Sequence, residues 1–244
     1  PEAIPDVIRN TEIVLNWQVS LDGGPWLDVG TSLNTAYITW DDPLAAAPFE
    51  TCLYVGCQAA EDMGSTKTEE EVVDAIFTKG FAGLNVVRVD GTQLLYYGPY
   101  SSVNPPPADA FTTTGLLANG DGRCGAWGNF FFDVLRAQGI TSTVRGIKTK
   151  DIPDATGYGF VVKPTLPGQG NPSPPNTFAD HAVVTYDTRI YDPSYGRAYN
   201  TLIAWEDASL SELLYEELWD LNGNNQIEIL SLPNTLGDEQ TEFF

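Results

Sequence analysis

The chain holds one histidine, His181, and three cysteines, Cys52, Cys57 and Cys124. Proton transfer by an imidazole near neutral pH therefore falls to His181 alone. A thiol is the nucleophile such a base would serve. Cys124 has the setting for it, lying in "GDGRCGAWGNFFFDVLRAQGI", a glycine-rich turn that opens onto an apolar helix. The first turn of a helix carries unpaired N–H groups and partial positive charge, and both favour a thiolate. Gly122 and Gly125 flank the cysteine and are expected to leave room for a substrate backbone. The N–H of Cys124 is placed to help hold an oxyanion. The competing reading is a small residue packed against "FFF", and position alone does not separate the two.

"DHAVVTYDTRIYDPSYG" reads as a strand, a tight turn and a return strand. A two-residue turn at Asp187-Thr188 pairs Tyr186 with Arg189, and hence Val183 with Asp192. Residues 181 and 183 share a face. Asp192 then lies diagonal to His181, within reach of a hydrogen bond that orients the ring and stabilises its charged form. A three-residue loop would turn Asp192 to the opposite face.

Other chemistries are poorly supplied. One histidine excludes a histidine-built metal site, and neither Gly-x-Ser-x-Gly nor a Gly-x-x-x-x-Gly-Lys phosphate loop occurs. No cofactor is expected. "DLNGNNQIEIL" sets Asp220, Asn222 and Asn224 at calcium-loop spacing. It has Asn225 where the loop needs Gly and Ser231 where it needs Glu, so an Asn-Gly turn is favoured.

The bulk numbers narrow the partners. The 244 residues are 42% hydrophobic, enough for a packed core. Net charge is −21, from 12 basic and 33 acidic residues, which argues against nucleic acid and anionic membrane surfaces. No apolar run approaches the roughly 18 to 20 residues of a membrane span. The compartment stays open, with a lean toward a secreted or envelope-associated protein, and the oligomeric state is not legible. Cys52 and Cys57 lie in "PFETCLYVGCQAAEDMG". On a helix they point about 140° apart, so both are expected in the core as free thiols; a strand there would reopen a disulfide.

The elements that position these residues follow an α+β plan. Residues 1–44 read as a β appendage, with "TEIVLNWQV" and "NTAYITW" around a turn. Its Trp17, Trp26 and Trp40 are expected to pack in the hairpin or core, a sugar-binding platform being the other reading. Helices are predicted over "DPLAAAPFETCLYVGCQAAEDM", over "TKTEEEVVDAIFTKGF" with a capping box at Thr66 and Glu69, from Cys124 to Gly139, and over "EDASLSELLYEELW". A hairpin is predicted around Asp90-Gly91. Strands are predicted in "TSTVRGIKT", "YGFVVKP", "HAVVTYD", "RIYDPS" and last in "NNQIEILSL". "PTLPGQGNPSPPNTFAD" is predicted to be a surface loop.

"GRCGAWGNFFFDVLRAQGITSTVRGI" resembles the nucleophile segment of the transglutaminase-like superfamily, where Gly-x-Cys opens a helix running into Leu-Arg-x-x-Gly-Ile and then a strand. "DHAVVTYDTRIYDPS" resembles that family's later segment, in which His begins a strand and Asp-Pro ends the next. The likeness spans roughly residues 45–200. It departs at Gly125, where the family often has an aromatic residue, and at Thr141–Thr143, where it often has Pro-Ala-Arg.

The resemblance implies a papain-like catalytic domain over residues 45–244 and a Cys–His–Asp triad on Cys124, His181 and Asp192. The expected function is acyl transfer from a peptide or protein amide through a thioester. Hydrolysis is favoured over transamidation, because an amine must outcompete water at roughly 55 M and no dry acceptor site is marked. The alternative is a binding module, for peptide or carbohydrate, that keeps the fold without catalysis.

Overall fold

The computed structural model describes residues 6–150, 155–217, 229–233 and 240–244. A long antiparallel hairpin comes first. Strand β1 (Arg9–Val19) pairs with β2 (Leu27–Ile38), with a register shift beside Trp17. Its base docks on the body: Ile8 is buried, and the Cys57 thiol donates to the Ile38 carbonyl at 3.5 Å. The rest projects into solvent. Trp17 and Trp26 are 52% and 69% exposed, so core packing holds only for Trp40, which is half-buried against the core. Trp17 is tied across the hairpin instead, its indole N–H donating to Ser32 Oγ at 2.8 Å.

Helix α1 (Glu50–Ala59) starts later than its sequence suggests. Pro48 disfavours helical geometry at Ala47, so the chain becomes helical only beyond it. Cys52 and Cys57 are buried free thiols, as a helix requires. Helix α2 (Glu69–Gly80) does carry a capping box, but on Thr68 and Glu71 rather than Thr66 and Glu69. Two overlapping Thr-x-x-Glu frames exist. The chosen one places the cap next to Glu69, with Val72, Val73, Ile76 and Phe77 all buried. The Asp90-Gly91 turn forms, but it closes on a single Val87–Gln93 bridge. Strand β3 (Leu95–Tyr96) instead pairs in parallel with β4 (Asp121–Gly122), and α3 (Thr113–Asn119) lies between them in sequence.

Helix α4 (Cys124–Ala137) is the central helix. Its Phe131, Val134, Leu135 and Gln138 are fully buried, the stripe the sequence predicts. Gly139 ends it at φ +80°, a conformation that suits glycine. Gln138, the stripe's polar end, accepts from the Trp40 N–H at 3.1 Å and donates to Cys57 Sγ at 3.4 Å. Phe131 packs edge-on to Phe81 at 4.9 Å and tilts against Tyr191 at 5.6 Å, bolting the helix layer to the sheet.

The remaining strands are β5 (Thr143–Thr149), β6 (Ala155–Val162), β7 (Thr177–Phe178), β8 (His181–Tyr186), β9 (Arg189–Asp192) and β10 (Arg197–Tyr199). After helix α5 (Leu202–Ser209) come β11 (Leu210–Glu217), β12 (Ile229–Pro233) and β13 (Thr241–Phe243). One sheet has the order β10-β9-β8-β5-β13 and the other β12-β11-β6-β7, all pairings antiparallel. Helices and antiparallel sheets are thus segregated, an α+β arrangement.

Three expectations need correction. The helix over "EDASLSELLYEELW" ends at Ser209, and the next eight residues form β11. Leu213 and Tyr215 alternate inward between β6 and β12, and that packing overrides the helical propensity of Glu and Leu. "NNQIEILSL" contributes β12, but β13 is the last strand. The segment 164–180 is not only surface loop. Phe178 pairs in β7, and Gln169 is fully buried, its amide donating at 2.8 Å to the carbonyls of both Phe81 and Pro193. Gln169→Ala would strip partners from two buried carbonyls and leave a cavity, so a loss of about 2–4 kcal/mol is expected in denaturant unfolding. The candidate calcium positions Asp220, Asn222 and Asn224 lie outside the described residues. No helix among the described residues is long and apolar enough to cross a membrane.

Candidate active site

Cys124 is the first residue of α4, and Arg123 in front of it has extended backbone and supplies no side-chain cap. The turn is held from two sides. Gly122 pairs with Tyr96 through β3 and β4, and the buried Asp121 carboxylate accepts from the Ser101 and Tyr100 N–H groups at 2.7 and 3.0 Å. The flanking glycines do not open space for substrate. A Cβ on Gly122 would meet Ala126 Cβ at 2.6 Å, and one on Gly125 would meet Phe111 at 3.3 Å. Both serve the tight packing of the turn.

The β8–β9 turn has two residues, with Tyr186 opposite Arg189 and Val184 opposite Tyr191. Asp187 supplies the positive φ, +51°, that so short a connection needs. His181 and Asp192 therefore share a face. The His181 Nε2–H donates to Asp192 Oδ2 at 2.9 Å, and both side chains are fully buried. Asp192 is itself held in place: the Trp205 indole N–H donates to Oδ2 at 3.0 Å and the Tyr195 backbone N–H to Oδ1 at 3.3 Å. The His181 ring stacks on Trp205 at 5.9 Å and lies against Tyr195 at 5.5 Å. Its orientation is fixed by packing as well as by hydrogen bonding.

The other ring nitrogen, Nδ1, is buried and makes no hydrogen bond of ordinary geometry. Burial alone would pull the His181 pKa down. The Asp192 charge and hydrogen bond, followed by the nearby Cys124 sulfur, outweigh it and hold the pKa above its ordinary value. The helix reaches the strand through a close seam. A Cβ on Gly128, one turn into α4, would sit 3.4 Å from Ala182 Cβ and from Val144 Cγ1. Glycine facing alanine is what lets α4 lie on β8, bringing Cys124 to His181.

Cys124 is 5% exposed, against 0% for Cys52 and Cys57. The hydroxyls of Tyr96 and Tyr195 are buried and make no hydrogen bond of ordinary geometry, and their rings pack edge-on at 5.3 Å. Burial comes first among the causes that push both phenols to a raised pKa, and Cys124 is another. Tyr96, Tyr195, Trp205 and Asp121 were not anticipated from sequence. Only Tyr195 carried a signal, standing three residues past Asp192 and beyond a proline. Among the described residues no cluster of His, Cys, Asp and Glu could hold a metal ion. Set beside protein-family models, characterised proteins and solved structures, the chain matches none of them.

Proposed function

We propose that the protein is a cysteine-nucleophile acyl-transfer enzyme of papain-like, transglutaminase-like architecture that hydrolyses a peptide or protein amide. One observation carries the reading. A buried imidazole is fixed by a carboxylate at Nε2, its Nδ1 is left without a hydrogen bond of ordinary geometry, and the Cys124 thiol at the start of a helix stands near enough to help raise the ring's pKa. In the tautomer with the proton on Nε2, Nδ1 is an acceptor. The raised ring pKa lets it hold the Cys124 proton before the sulfur attacks the carbonyl as a thiolate, and it then gives that proton to the leaving amine. Asp192 holds that tautomer and stabilises the imidazolium between the two steps. Water repeats the sequence on the thioester.

The experiment is selective alkylation followed by a screen of peptide and glutamine substrates. Burial, with a further push from the Asp133 charge, holds the Cys52 thiol well above its ordinary pKa. Burial lifts Cys57 to about 11 against a smaller opposing effect of the Gln138 hydrogen bond. Iodoacetamide should label Cys124 on the order of a hundredfold faster than either. His181→Ala should slow that labelling. Equal, slow labelling of all three favours the non-catalytic binding module, whose supporting observation is the exposure of Trp17 and Trp26 on the projecting hairpin.

A further inference from the structure

The residue in front of the nucleophile is a cation in a strongly acidic chain. Arg123 is half-buried, and its guanidinium sits 5.1 Å from the Tyr97 ring centre and 5.6 Å from that of Phe111. Its Nε donates to the Ser101 carbonyl at 2.9 Å and its Nη2 to the Val103 carbonyl at 3.2 Å. Among the described residues no carboxylate forms an ion pair with it. Carbonyls fix the position of a guanidinium without cancelling its charge, and two aromatic faces hold it while excluding water.

Its neighbours place it at the mouth of the site. Phe111 covers Gly125, the residue after Cys124. Tyr97 is half-buried, holds the uncommon φ of +55°, and follows Tyr96, which pairs with Gly122. On this side stand the buried Asp121, already bound by the Ser101 and Tyr100 N–H groups, and two exposed carboxylates, Asp109 two residues before Phe111 and Asp180 next in sequence to His181. An exposed carboxylate is screened by water and salt far more than a half-buried guanidinium.

We propose that Arg123 is a specificity-determining residue: it binds a carboxylate carried by the acyl substrate next to the scissile carbonyl. The substrate class is then an acidic peptide, its carboxylate being a Glu or Asp side chain or a free chain terminus. This rests on the acyl-transfer reading and narrows it. The net charge of −21 repels anions from most of the surface. A fixed cation beside the nucleophile selects against that background, and its fork suits a carboxylate better than a lysine would.

The test separates this proposal from the reading beneath it, because thiol alkylation needs no turnover. Cys124 is alkylated with iodoacetate, an anion, and with neutral iodoacetamide, and the ratio of rates is compared across variants. Arg123→Gln should lower the ratio about tenfold, the size of one partly desolvated charge contact. Arg123→Lys should restore most of it, and Asp180→Asn should raise it. All ratios are taken at one ionic strength, because salt screens the exposed acidic surface as well as the guanidinium. Arg123→Met, which keeps the packing of the stem, replaces Arg123→Gln if that variant fails to fold.

Matched peptides with Glu or Gln beside the cleaved bond, and with free or amidated termini, then tell the two carboxylate sources apart. An unchanged ratio in Arg123→Gln, or in Arg123→Met where the Gln variant does not fold, overturns the proposal. Hydrolysis indifferent to peptide charge overturns it while leaving the acyl-transfer reading in place. A ratio that behaves as expected with no peptide cleaved overturns the acyl-transfer reading and the substrate assignment together.

Discussion

Cys124→Ala is expected to abolish hydrolysis of any peptide substrate, with a loss of roughly a millionfold in kcat where the uncatalysed floor can be reached. The size follows from the absence of a substitute. The chain has one histidine, and Cys52 and Cys57 are sealed in the core with raised pKa values. The fold should survive, since the side chain loses a single sulfur at a position that already touches solvent; unfolding should shift by about 1 kcal/mol or less. The measurement is single-turnover hydrolysis beside a denaturant titration. Residual activity within tenfold of wild type would remove Cys124 from the mechanism.

Asp192→Asn should cost about ten-thousandfold in kcat. The two carboxylate oxygens accept three donors: the His181 and Trp205 N–H groups on Oδ2 and the Tyr195 N–H on Oδ1. An amide has one acceptor and one donor end. If its oxygen stays with His181 and Trp205, its NH2 confronts the Tyr195 N–H. If it flips, the NH2 faces Nε2, the imidazole proton moves to Nδ1, and that nitrogen no longer accepts from Cys124. Either way a buried donor is stranded, at about 1–3 kcal/mol of stability.

A pH signature accompanies that loss. The folded His181 pKa lies above its unfolded value near 6.5. Between those two values the folded protein keeps a proton that the unfolded chain releases, so stability falls as pH rises through that window and is complete below it. Asp192→Asn removes the main raising influence and should flatten that slope in urea midpoints taken from pH 6 upward. An unaltered slope would mean that the carboxylate does not govern the ring.

What sequence reading reached was local. The register of β8 and β9 follows from a two-residue turn, because period-two geometry leaves no freedom once Tyr186 faces Arg189. The α4 stripe follows from a period near 3.6 and a stop at Gly139. What it missed depended on distant partners. "SELLYEE" carries good helix formers and becomes a strand because β6 and β12 flank it. Gln169 looked like loop and is core, because its amide finds carbonyls from α2's end and from Pro193. Trp205 orients Asp192 from a helix that no motif connects to the site. The Thr66 and Thr68 caps differ by one choice of frame, which capping chemistry alone does not make.

The seam between α4 and β8, where Gly128 meets Ala182, has a consequence for how activity relates to order. The proposed nucleophile belongs to one layer and the proposed base with its carboxylate to the other, and no disulfide fixes their separation. A compact state with native helix and native hairpin but loosened packing would contain every reacting group and no reaction centre. On the proposed mechanism turnover therefore reads the tightness of the interior, and should vanish on heating or in mild denaturant before the secondary structure does.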